Sequence, residues 1–165
     1  MGLPDTVAAM SSSRDQVSVQ RLIPATAEEI FDLLADPSRH ADLDGSGHLV
    51  ESREGSRRLK AGDTFGMAMK RGLFPYQTRN VVVTFEENRR ISWQTLAPGP
   101  IAKLVTGRTW NYVLEPIDGG TLVTETWDIS TEAPLARPAV RALLSDETRK
   151  SMTRTLERIE QLVRS

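Results

Sequence analysis

A chain of 165 residues, 39% hydrophobic and 26% charged, has the size and composition of one globular domain. Its formal charge of −1 provides no basic field, so nucleic acid and an anionic membrane are not expected partners. With no cysteine and only His40 and His48, the chain excludes disulfides, thiolate metal sites, cysteine nucleophiles and multi-histidine metal sites.

The first fourteen residues lack a basic start followed by an apolar run, so they do not read as a secretory signal. Residues 1–14 are expected to form a flexible tail, with Met10 as an alternative natural start to Met1, and residues 15–165 the domain. No apolar run reaches the roughly 18–20 residues that cross a bilayer. The expectation is therefore a cytoplasmic protein without stable membrane insertion.

Gln16-Val17-Ser18-Val19-Gln20 alternates polar and apolar residues, the pattern of a half-buried strand, and Pro24 ends it. Thr26 with Glu29 forms a capping box for a short helix whose apolar face is Ile30, Phe31, Leu33 and Leu34. Asp36-Pro37 stops that helix, and the turn-rich segment 38–47 predicts a second short helix and a loop. Strands follow at 48–54, 63–70, 76–86, 90–96, 107–116 and 121–130, separated by turns that include Arg71-Gly72, Pro98-Gly99-Pro100 and Asp118-Gly119-Gly120. After Pro134 and Pro138, Val140, Leu144, Thr148, Met152, Leu156, Ile159 and Val163 recur every three or four residues along a long amphipathic helix. Ser145-Asp146 is a candidate interruption that splits off a short first helix. Strand, two short helices, six strands and a long helix make an α+β pattern with one antiparallel sheet.

The last hairpin can be registered from its turn. A two-residue turn of a primed type at Asp118-Gly119 pairs Leu114 with Val123, Tyr112 with Glu125 and Trp110 with Trp127. A slip to Gly119-Gly120 keeps every side chain on the same face. One face then carries Trp110, Tyr112, Leu114, Val123, Glu125, Trp127 and Ile129, apolar except for Glu125. The same parity places Gln77, Arg79, Val81, Val83 and Phe85 together, with Ile91 and Trp93 facing inward beside them. Polar groups (Gln77, Arg79, Tyr112 and Glu125) thus gather at one end of an apolar surface. An unpaired carboxylate there has a raised pKa, whereas an arginine partner lowers it.

Pro24-Ala25-Thr26-Ala27-Glu28-Glu29-Ile30-Phe31 after the first strand resembles the opening of the SRPBCC superfamily of helix-grip proteins. That superfamily includes START lipid-transfer domains, birch-pollen-type allergens and aromatic polyketide cyclases/dehydrases. The stretch 115–126 is similar to its last hairpin, and Phe74-Pro75-Tyr76 with 85–93 resembles bacterial polyketide-cyclase-like members. The likeness spans about residues 15–164. It implies a helix-grip fold: a seven-stranded antiparallel sheet wrapped around the long C-terminal helix, with two short helices after the first strand and a cavity for a hydrophobic ligand. It transfers no catalytic set, and fold alone does not define a reaction.

Glu125 is the candidate general acid/base of a cofactor-free cyclase/dehydrase, removing a proton next to a ketone. The competing reading pairs it with Arg79 or Arg108, or places it at the cavity rim. Trp93, Trp110, Tyr112 and Trp127 are candidate stacking surfaces for a flat ligand, against plain core filling. Arg79 is a candidate fork for a ligand carboxylate or phenolate, against a strand-surface ion pair. His40 lies near the second short helix, where a proton shuttle is weighed against a solvated loop histidine, the preferred reading. Asp42, Asp44, Gly45 and Gly47 lack the spacing of a calcium loop, and Gly45-Ser46-Gly47 lacks the lysine and context of a phosphate loop. Arg57-Arg58 and Arg89-Arg90 read as solvated turn charges. The expectation is a monomer or homodimer that binds a small lipid, quinone or aromatic molecule without a cofactor or metal. A binder or carrier is preferred, and a polyketide cyclase/dehydrase is the alternative.

Overall fold

In a computed structural model of the chain, which describes residues 13–52, 54–97 and 107–165, β1 (Gln16–Ile23) opens the fold and Thr26 starts α1 (Ala27–Leu34). Both halves of the capping box form: Thr26 Oγ1 accepts from the Glu29 N–H at 3.2 Å, and Glu29 Oε2 accepts from the Thr26 N–H at 2.9 Å. Ile30, Phe31 and Leu34 turn into the core. Asp36 caps a 3-10 turn at Pro37–Arg39, which leads directly into the one-turn α2 (His40–Leu43). Residues 1–12 of the expected 1–14 tail, the choice between Met1 and Met10 and the Pro98-Gly99-Pro100 turn lie outside the described residues.

Six further strands complete one antiparallel sheet: β2 (Leu49–Ser52), β3 (Thr64–Arg71), β4 (Phe74–Glu86), β5 (Arg90–Leu96), β6 (Arg108–Ile117) and β7 (Gly120–Asp128). The order β1-β7-β6-β5-β4-β3-β2 puts the first strand beside the last. α3 (Arg137–Arg164) lies across the concave face and packs on β1 and β7 through Met152, Leu156 and Ile159. This is the helix-grip α+β architecture. The helix runs without a break through Ser145-Asp146, contrary to the expected interruption. Both residues sit on its more open N-terminal half, where no packing contact forces the chain to leave the helix.

The β6–β7 register matches the hairpin derivation: Leu114 faces Val123, Tyr112 faces Glu125 and Trp110 faces Trp127. The turn itself differs from the expected primed type. Gly119 has φ +91°, but among the described non-glycine residues only Asn88 has positive φ, so Asp118 stays in the ordinary region. Gly120 then passes so close to β1 that a Cβ would lie 2.1 Å from the Ile23 carbonyl oxygen. Along β7 burial alternates strictly, with Thr121, Val123, Glu125 and Trp127 inside.

β4 departs from the expected parity. Val82 pairs with Trp93, yet Thr84 pairs with Ser92, leaving Val83 as an extra residue in a bulge. Before the bulge it is Asn80 and Val82 that are buried, each 1% exposed, while Arg79 and Val83 are exposed. After it the phase reverses, and Phe85 packs on the core as expected. Arg79 therefore belongs to the outer face of β4.

Candidate functional site

A cavity of about 550 Å³ separates the sheet from the N-terminal half of α3, with α2 and the loop after it along one side. The curl of the sheet leaves this space because α3 packs tightly only beyond Met152. At its inner end β5, β6 and β7 contribute Trp93, Trp110, Tyr112, Glu125 and Trp127, so five of the six side chains singled out from sequence line one cavity. Arg79, the sixth, is not among the lining residues. All three tryptophans of the chain are in the wall.

Glu125 is 1% exposed. Its Oε1 accepts a 2.8 Å hydrogen bond from the Tyr112 hydroxyl, and its Oε2 has no protein partner. Neither Arg79 nor Arg108 reaches it: Arg108 pairs instead with buried Glu132 at 3.0 Å. Burial pushes the Glu125 carboxyl up to about 8; the Tyr112 hydrogen bond opposes that shift and the charge of Asp44 adds to it. Tyr112 is likewise held well above its ordinary range, first by burial and then by Glu125. At neutral pH both groups keep their protons.

His40, like Arg79, lies elsewhere than sequence reasoning placed it. It is buried at 4% exposure and lines the cavity, not a solvated loop. Its ring stacks on Trp93 with centroids 4.9 Å apart, and Phe65 meets its edge at 5.3 Å. Trp93 in turn contacts Tyr112 at 5.4 Å, so rings from α2, β5 and β6 form one continuous series. His40 Nε2 lies 2.8 Å from the Leu34 carbonyl oxygen, and Nδ1 has no partner. A carbonyl only accepts, which fixes the hydrogen on Nε2 and leaves Nδ1 as a free acceptor. Burial lowers the imidazole pKa to about 4, opposed by the Leu34 bond and by Asp36. Pro37, His40 and Leu43, all buried, recur every third residue around the 3-10 turn and α2, a run too short to stand out in the sequence.

The outer end is polar. Arg71 and Glu147 form a solvated ion pair at 3.7 Å between the β3–β4 hairpin and α3. Asp44 accepts from the Ser46 N–H and hydroxyl and from the Leu49 N–H, which ties the loop after α2 into a fixed curve. Among the described residues no cluster of histidine or carboxylate side chains could hold a metal ion.

A curled sheet and a long gripping helix around a cavity that is aromatic at its inner end and open to solvent at its polar outer end define a helix-grip architecture. The chain belongs to the family described as polyketide cyclase/dehydrase and lipid transport, whose pattern it matches over residues 14–164. It is similar to an uncharacterized protein of Mycobacterium tuberculosis, Rv0088, with 31% identity over 124 residues. That match covers 74% of this chain and 51% of the relative, so the chain spans about half the length of the curated relatives it matches. Solved structures share the fold. A protein from Arthrobacter aurescens superimposes with a TM-score of 0.73 at 13% identity, covering 96% of this chain and 92% of its own. The AHSA1-like protein from Aeromonas hydrophila superimposes at 0.62 with 20% identity, covering 90% and 92%. No helix of the described residues is long and apolar enough to cross a membrane.

Proposed function

We propose that this protein binds a small, largely apolar molecule in the cavity between sheet and α3, as a binder or carrier and not as a catalyst. The observation that carries this reading is the cavity itself: about 550 Å³, walled by three tryptophans and two tyrosines. That volume fits a molecule of two to four fused rings or a bent acyl chain. The proposed stacking surfaces are Trp93, Trp110, Tyr112 and Trp127.

A cyclase/dehydrase reading rests on Glu125. Proton abstraction needs an ionised carboxylate, and a carboxyl with a pKa of about 8 is mostly protonated at neutral pH. A pKa raised toward the working pH also suits a general acid/base, so the preference for binding rests on the cavity, and catalysis by Glu125 is the second reading.

Intrinsic fluorescence tests the proposal, because every tryptophan of the chain lines the cavity. Titration with the planar aromatic flavone is expected to quench it saturably, with a dissociation constant in the micromolar range (about −8 kcal/mol). Unchanged emission with both flavone and myristate would remove the cavity as a ligand site.

A further inference from the structure

The β3–β4 hairpin outruns its sheet. β2 pairs with β3 only as far as Met69, and β5 pairs with β4 only from Arg79 onward. Residues 70–78 therefore form a two-stranded arm, laddered up to the pair Arg71–Phe74, with no third strand beside it among the described residues. At its tip Gly72 has φ +59° while Leu73 stays out of the positive region, the pattern of a type II′ turn. Such a turn calls for the glycine but asks nothing apolar of the residue after it, and turn positions are normally polar. Here the next two residues are Leu73 and Phe74, 87% and 79% exposed. Nothing in the local conformation explains them.

A third exposed apolar side chain stands across the opening of the cavity. Leu143 on α3 is 77% exposed and lies one turn before Glu147, the residue that Arg71 of the arm meets at 3.7 Å. Arg71 and Glu147 both line the cavity at its outer end. Leu73 and Phe74 on one side and Leu143 on the other thus flank the open mouth. We infer that this rim docks on the surface of a lipid bilayer, with Leu73 and Phe74 entering the interface and the cavity mouth turned toward it.

Area and shape select this occupant over a second protein. At roughly 150–200 Å² for each large side chain, the three offer about 500 Å² at most, below the ~800 Å² per partner of a stable protein interface. They are also presented on a narrow two-residue turn, which enters a soft lipid layer but gives a protein no flat area to cover. Charge plays a minor part. Exposed Lys70 and Lys150 with Arg71 stand against Asp146 and Glu147, a local excess of one positive charge. The whole chain at −1 has no long-range basic field, so the apolar side chains carry the contact. Docking goes beyond the binding reading: it would let an apolar molecule pass between bilayer and cavity without crossing water.

Flotation of the full chain with vesicles of phosphatidylcholine, alone or mixed with phosphatidylglycerol, tests the inference. The wild type is expected to float with both, and phosphatidylglycerol to strengthen binding by no more than about fivefold, the effect of one net charge. The double variant Leu73→Ser, Phe74→Ser is expected to lose at least about tenfold in partitioning. Its thermal unfolding should match the wild type, since neither side chain is buried. Because the chain has no cysteine, Leu73→Cys can carry a single environment-sensitive dye. Its emission is expected to shift to the blue on vesicles, whereas the same dye at Val83→Cys, about 30 Å farther along β4, should not respond. A wild type that floats with neither vesicle, a double variant that floats equally well, or a dye at position 73 that does not respond would each overturn the inference. So would a lipid-free dimer in sedimentation velocity that the double variant abolishes, which assigns the patch to a second copy. Saturable flavone quenching without flotation leaves the cavity reading standing and removes docking alone. Flotation with no response to flavone or myristate does the reverse.

Discussion

Glu125 and His40 answer burial in opposite directions, and the consequence is measurable without a ligand. Glu125 rises from 4.5 to about 8, so in the native state it holds a proton that the unfolded chain releases above 4.5. Its contribution is fully present below pH 4.5 and is lost as pH rises to about 8. His40 falls from 6.5 to about 4, so the unfolded chain takes up a proton that the native state refuses. Its contribution is present above pH 6.5 and is lost as pH falls toward 4. Between 4.5 and 6.5 the two slopes have equal size and opposite sign, and they cancel. From 6.5 to about 8 only Glu125 titrates, at about 1.4 kcal/mol per pH unit, so stability should fall by about 2 kcal/mol. Urea unfolding across pH checks this. Glu125→Gln should be flat above pH 6.5 and, with the cancelling slope gone, should gain stability between 4 and 6.5. A wild-type curve that is flat from 6.5 to 8 would contradict the protonated state assigned to Glu125. Of these two residues only Glu125 was legible in the sequence, as the single polar residue on an apolar strand face. His40 was not, because one turn of helix gives too short a period to distinguish a buried ring from a loop histidine.

At the level of elements, what sequence pattern resolves is alternation, and it fails where alternation is interrupted. β7 alternates without a break, so its inner face and its register with β6 followed directly from the turn. β4 contains the Val83 bulge, and one inserted residue reversed the assignment of everything before it, sending Arg79 outward and Asn80 inward. No residue type marks that bulge, since valine is at home in regular strand. The loop after α2 shows a different blind spot. Gly45-Ser46-Gly47 reads only as part of a turn-rich loop, but Gly45 is where the loop meets α3: its N–H donates to Thr155 Oγ1 at 3.0 Å, and its carbonyl accepts from Arg154 Nε at 2.8 Å. A Cβ there would lie 2.1 Å from the Ser151 carbonyl oxygen and 2.6 Å from the Thr155 nitrogen. Both are backbone atoms of a helix and cannot yield. Gly45→Ala should therefore cost about 1–3 kcal/mol in thermal or urea unfolding, the range for forced overpacking. Gly47→Ala serves as its control: nothing lies within 4 Å of a Cβ there, so only the strain of φ +72°, about 1 kcal/mol, applies.

Across the whole molecule, packing is divided along α3. Its C-terminal half closes the core through Met152, Leu156 and Ile159, while its N-terminal half presents Leu144 and Thr148 to the cavity. Family resemblance pointed to such a cavity, but its volume depends on how far the helix stands off the sheet, which no local pattern encodes. A protein interior is normally packed to crystal density, so a space of this size forgoes contacts that a better-filled core would make. That cost should be recoverable separately from binding. Thr148 is half-buried, lies one turn before Met152 and points a small side chain into the space. Replacing it by tryptophan adds on the order of 100 Å³ to a cavity several times larger, so the new ring has room in an ordinary rotamer. Thr148→Trp should leave the unfolding free energy unchanged or raise it by about 1 kcal/mol of added burial, and should weaken flavone binding by more than about tenfold. If the cavity were instead a weakly packed region of the core with no ligand, filling it would stabilise the protein and binding would be absent in wild type and variant alike. If the ligand bound elsewhere on the surface, Thr148→Trp would leave its affinity untouched. Unfolding and titration measured on the same two proteins therefore decide whether the gap between α3 and the sheet is a binding site or only a packing deficit.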